Sequence, residues 1–200
     1  YIYERTLNPK IMEAMDSIIY LISLAQKPNG HLQTRDAVRG IDTIYADNAW
    51  MNHRMYNAGH LYEGAVAHHK ATGKNNLLSI ALKNAEMMCG IINDSTGNLV
   101  TSGHPEIETG LMKLYKLTGN SEHFMAARKL IDLRGSENDT GQGLYDQKHK
   151  PVLSQTEAVG HAVRAVYLYM GITDLALETG EPEYMQMLDS VWNNMTSKKT

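Results

Sequence analysis

Cysteine occurs once in these 200 residues, as Cys89. No intramolecular disulfide can form, so packing must hold the fold. Paired-cysteine metal motifs are excluded with it. Proline is scarce, five in all. Phe occurs once and Trp twice, against eleven Tyr. Tyr carries a polar tip on an apolar body, so such a set suits half-wet surfaces such as sugar clefts. The formal net charge is −3, with no basic stripe, which argues against nucleic acid as a partner. No apolar run approaches the roughly 20 residues of a membrane span, and the opening residues do not have the layout of a signal peptide. What these absences leave is a globular chain long enough for one domain with a real core. Cytoplasm and periplasm both stay open.

What is present is helical periodicity, while strand signals are weak throughout. Residues 9–26 place Ile11, Met15, Ile18, Ile19, Ile22 and Leu24 on one stripe, with Asn8 as cap and Pro9 at the first helical position. A long polar connection over 31–50 follows, holding His31, Asp42, Asp47 and Trp50. Further helices are predicted over 56–71, 76–91, 104–117, 121–133, 155–178 and 183–197. Residues 134–151, rich in Gly, Asp and Gln, interrupt them.

The helices form a repeat: Gly-His, a helix, Thr-Gly, a second helix. The Gly-His pairs are Gly59-His60, Gly103-His104 and Gly160-His161. The Thr-Gly pairs fall at 72–73, 118–119 and 179–180, where glycine supplies a left-handed cap. The first helix of each unit is apolar almost all round and should be buried on both sides. The second keeps a charged face, as at Lys83 and Glu86. This predicts an all-α chain, an α/α toroid with an inner and an outer ring. Residues 1–200 would form a single helical domain, about half of an (α/α)6 barrel. The chain opens with Tyr and stops after a helical segment, which predicts a piece of something longer.

In such a ring the inner helices all run the same way, so His60, His104 and His161, each read at a helix start, should meet at one mouth. Three imidazoles there offer donors and acceptors to a polyhydroxylated ligand. Each has a carboxylate nearby in helical register: Glu63 for His60, Glu108 for His104, Glu157 for His161. A carboxylate fixes an imidazole tautomer and raises its basicity. Glu106 instead reads as a first-turn acid that complements the helix dipole. His149 joins the candidates with Glu108 at lower weight. No metal site is read within the segment, Cys89 reads as a small buried hydrophobe, and His68-His69 is expected to be partly exposed.

Several runs together resemble glycoside hydrolase family 127 and its β-L-arabinofuranosidase-like relatives. They are Tyr56-Asn57-Ala58-Gly59-His60-Leu61, Ala65-Val66-Ala67-His68, Ala71-Thr72-Gly73-Lys74, Gly103-His104-Pro105-Glu106-Ile107-Glu108, Pro151-Val152 and Ala158-Val159-Gly160-His161-Ala162-Val163-Arg164-Ala165. Ala25-Gln26 with Asn29-Gly30-His31-Leu32-Gln33-Thr34 is similar to the family's early loop. The resemblance implies an (α/α)6 barrel that cleaves arabinose-containing glycans with retention. It implies that His60, His104 and His161 contact the sugar. It also implies a cysteine nucleophile on a zinc ion and a glutamate acid/base, all beyond the end of this segment, so that zinc is expected only of the longer enzyme. The remaining half of the barrel is then a required partner. Three positions depart from the family's usual pattern: Arg54 for Glu, Lys148 for an acid and His31 for Tyr. Arg54 and Lys148 bear on substrate choice. Two other functions fit the residues alone. One is a non-catalytic helical module that binds glycan or protein. The other is a different toroid carbohydrate enzyme, a uronyl hydrolase or lyase, with Glu157 or Asp146 as acid/base.

Overall fold

The fold is described by a computed structural model over residues 2–40, 53–95 and 99–199. All regular structure among these residues is helical. The helices are α1 (Ile2–Thr6), α2 (Pro9–Ala25), α3 (Thr34–Arg39), α4 (Arg54–Thr72), α5 (Asn76–Asp94), α6 (Ile107–Thr118), α7 (Ser121–Leu133), α8 (Ala162–Thr179) and α9 (Pro182–Lys198), with a 3-10 turn at Val152–Ser154. The predicted 31–50 connection is therefore not all loop: α3 occupies part of it. Asp42, Asp47 and Trp50 lie outside the described residues.

Local chemistry fixes the ends. Asn8 and Asn120 cap α2 and α7, each accepting an N–H from two residues on. Each Thr-Gly pair is a complete stop. Gly73, Gly119 and Gly180 all take left-handed backbone with φ near +70°, and each donates its N–H to a carbonyl of the last turn. The threonine hydroxyl then accepts the N–H two residues beyond it, from Lys74, Asn120 and Glu181. The same pair of hydrogen bonds recurs three times because the same reversal recurs three times.

α4, α6 and α8 pack side by side, and α5, α7 and α9 lie behind them. α6 is sealed between neighbours, with Ile107 to Met112 all buried. The outer helix α5 buries Leu78, Ala81, Ala85, Met88 and Ile92 and exposes Lys83 and Glu86. One apolar core joins α4 to α7, and a second joins α7, α8 and α9 around Leu168, Ile172, Leu175 and Val191. This is the alternation of an α/α toroid. Burial of His68 corrects the expected partial exposure, while His69 stays half-buried.

Three predicted starts shift. α4 begins at Arg54, so His60 lies almost two turns inside it. α6 begins at Ile107, because Pro105 disfavours helical backbone at His104. α8 begins at Ala162, and His161 is its N-cap. Residues 155–161 are held away from helical geometry by outside partners. Gln155 donates to the carbonyls of Gln147 and Lys150, Ala158 N donates to Asn194, and Gly160 sits with φ +74° directly against the Leu144 carbonyl.

Candidate functional site

The three histidines of the Gly-His pairs converge although their local settings differ. His104 and His161 have ring centroids 6.4 Å apart. Tyr56 lies 4.5 Å from His60 and 4.2 Å from His104, centroid to centroid. Tyr167 of α8 closes the group, 5.7 Å from His60 and 5.4 Å from His104. His53, the left-handed N-cap of α4, and Tyr145 stand at the rim, 6.2 Å from His104 and 5.4 Å from His161 respectively. Arg164 lies over the Tyr145 ring at 4.6 Å. The sequence reading missed Tyr56, Tyr167, His53 and Tyr145. Tyr56 had a signal, since it stands four residues before His60 on one helix face.

Backbone contacts set two of the tautomers. His104 Nδ1 lies 2.9 Å from the Pro105 carbonyl, which can only accept. Nδ1 therefore carries the hydrogen, and Nε2 is a bare acceptor. His161 Nδ1 accepts the Arg164 N–H at 3.5 Å, which leaves its Nε2 as the donor. Burial lowers the pKa of His104 and His60, so both rings favour the neutral form. The mouth thus presents imidazole donors and acceptors beside tyrosine faces.

The expected carboxylate partners are rearranged. Glu63 does reach His60, at 3.8 Å, but it also binds the Lys113 ammonium. Glu108 is used elsewhere than at His104: it accepts the Glu106 N–H at 3.0 Å and faces the fully buried Arg134 at 3.5 Å. Glu157 is exposed in the segment before α8, so its expected place one turn behind His161 on a helix does not hold. Its field reaches His149 instead, whose pKa is lowered chiefly by burial. Glu106 is the acid that does reach the group. It is fully buried, with Oε1 3.2 Å from His60 Nδ1, and burial pushes its carboxyl up to about 8.

Two further candidates turn out to hold the 134–151 loop. Lys148 is buried and donates to Asp139 Oδ1 and to the carbonyls of Thr101 and Thr140. Asp146 is fully buried and accepts the Gln142 N–H. Lys148 is therefore a loop clamp, which removes it from substrate choice.

His60, Glu63 and Glu106 offer atoms within 4.8 Å of one another. Lys113 already supplies the positive charge there, so no metal is assigned. Cys89 is buried, and burial pushes its thiol up to about 12. It has none of the character of a nucleophile or thiolate ligand, so the zinc chemistry implied by the resemblance does not fit this chain's own residues.

The sequence model of the GH127 catalytic domain, described as β-L-arabinofuranosidase, matches residues 1–200. The chain belongs to the GH127 family. A non-reducing end β-L-arabinofuranosidase of Bifidobacterium longum is 30% identical over 217 aligned positions, which cover 96% of this chain and 33% of that enzyme. The crystal structure of a GH127 β-L-arabinofuranosidase from Geobacillus stearothermophilus T6 is 34% identical, with a TM-score of 0.87, over 96% of this chain and 33% of that one. A GH127 β-arabinofuranosidase is 39% identical, with a TM-score of 0.90, over 99% and 32% respectively. The GH127 chain described here thus spans about a third of the length of these relatives.

Proposed function

We propose that this GH127 chain is the sugar-recognising part of a glycoside hydrolase acting on arabinofuranose-containing glycans. His60, His104 and His161 bind the terminal sugar, and Tyr56 and Tyr167 pack against it. The observation that carries this reading is the convergence of three imidazoles and two tyrosines, from α4, the turn before α6, and α8, into one half-wet group. Neutral His104 as acceptor and His161 as donor match the dual hydrogen-bonding character of sugar hydroxyls. Nucleophile and acid/base come from the rest of the barrel, and no chemical step is assigned to residues 1–200. Zinc belongs to that remaining part.

The test is hydrolysis of an aryl β-L-arabinofuranoside by the full-length protein. Residues 1–200 alone should hydrolyse nothing. His104→Ala and His161→Ala in the full-length enzyme should each raise KM about tenfold, the scale of one lost hydrogen bond. Turnover by the isolated segment, or unchanged KM in both variants, overturns the reading.

A further inference from the structure

Glu106 is a buried carboxyl that no step of the recognition scheme uses. It is 0% exposed, and neither of its oxygens has a well-aligned hydrogen bond. His60 Nδ1 lies 3.2 Å from its Oε1. The approach is made possible one residue earlier in α4. A Cβ on Gly59 would lie 2.6 Å from the Glu106 backbone carbon, its oxygen and its Cγ. Gly110 of α6 has the reciprocal role, since a Cβ there would lie 2.6 Å from the Gly59 carbonyl. Paired glycines thus let α4 and α6 close until the Glu106 side chain reaches the imidazole.

We propose that Glu106 is a positioning residue for His60: its protonated carboxyl donates to Nδ1, which fixes the ring and keeps the hydrogen on Nε2 as a donor to a sugar hydroxyl. The inference rests on His60 being a sugar contact.

The charges around the pair favour this proton arrangement. Glu63 on α4 faces the imidazole but is neutralised by Lys113 of α6. Glu108, on α6, repels a second negative charge at Glu106 and is itself held toward Arg134, just beyond α7. Tyr167 of α8 lies within the field of Glu106 and is held protonated by burial and by Tyr56. Desolvation keeps the carboxyl neutral up to about pH 8, and burial followed by Lys113 disfavours imidazolium at His60. The sign is then fixed. Above about pH 8 the carboxyl loses its hydrogen, Nδ1 must become the donor, and Nε2 turns from donor to acceptor.

The experiment compares the full-length wild type, Glu106→Gln and Glu106→Ala on an aryl arabinofuranoside from pH 5 to 9.5. Wild-type KM should rise five- to tenfold above pH 8, with kcat changing less than twofold. Glu106→Gln donates to Nδ1 at every pH, so its KM should stay near the wild-type neutral value and lose that alkaline rise. Glu106→Ala should raise KM about tenfold at every pH. A Glu106→Gln profile that keeps the alkaline rise overturns the proposal even where the alanine variant fails to fold. Equal KM in the two variants also overturns it. Nitrogen-15 NMR of the His60 ring supplies a readout free of activity, and a protonated Nδ1 at pH 7 overturns the pairing. A thermal shift on adding manganese or zinc that Glu106→Gln abolishes would replace it with a metal site. A wild type that does not turn the substrate over breaks the sugar reading alone, and the NMR arm still judges the pair.

Discussion

At the scale of single residues, Lys148 is a position that the sequence reading connected with substrate choice. In the structure its ammonium is enclosed by Asp139, Thr101 O and Thr140 O, and burial lowers its pKa. Removing one partner leaves the other charge buried and uncompensated, which costs about 3–5 kcal/mol. Lys148→Met should therefore lose stability of that order in urea unfolding, and Asp139→Leu should not rescue it, because that change strips the Thr101 N–H and hydroxyl and the Gly135 N–H of their acceptor. A single variant within 1 kcal/mol of wild type would remove the clamp from the account. The buried histidines give a second prediction. Burial lowers the pKa of His123, so below about pH 6.5 the unfolded chain binds the extra proton more readily than the folded one. Stability from this group is complete above that value and is lost as pH falls. The drop in Tm from pH 7.5 to 5.5 should be smaller in His123→Gln than in wild type, and equal drops would contradict the assignment.

At the scale of elements, glycine shows how much the sequence revealed. The Thr-Gly stops were legible because a left-handed cap is a local requirement. The Gly-His pairs were legible as a repeat, but for a reason the structure replaces. Gly59 is mid-helix and serves close packing, whereas Gly160 is a left-handed loop residue against Leu144. Their common spelling hides two different physical needs. The meeting of the three histidines was legible from helix direction. Glu106 as a partner of His60 was not, because the contact depends on the depth to which α4 and α6 interpenetrate, and no local pattern records that. The same argument separates two substitutions of one type. Gly90 lies exposed within α5, and a Cβ there meets nothing within 4 Å, so Gly90→Ala should stabilise by about 0.5–1 kcal/mol. Gly59→Ala must push α4 from α6 and should destabilise by about 1–3 kcal/mol. Thermal unfolding of both variants checks the order, and a stabilised Gly59→Ala would refute the close-approach argument.

At the scale of the whole molecule, burial is uneven along the arc. α6 is enclosed by neighbours on both sides, while α2 buries only Ile19 and exposes Ile18, Tyr20, Leu21 and Leu24. α8, the last of the inner helices, exposes Val163, Val166 and Met170. Ile18 and Leu24 lie on the apolar stripe of α2, and the α8 residues lie on an inner helix that is apolar almost all round; apolar groups clustered this way on a protein surface mark a contact still to be made. The chain is a third the length of its relatives, and the rest of the barrel invoked in the proposed function would cover these faces. The dependence can be measured without substrate. Residues 1–200 alone should bind an apolar dye such as ANS strongly and self-associate on sedimentation, whereas the full-length enzyme should do neither. Val166→Lys together with Leu21→Lys should suppress both effects in the isolated segment while leaving its helical circular dichroism unchanged. A segment that is monomeric and dye-silent with those residues intact would mean that these faces need no partner, and the barrel would then have to be completed through some other surface.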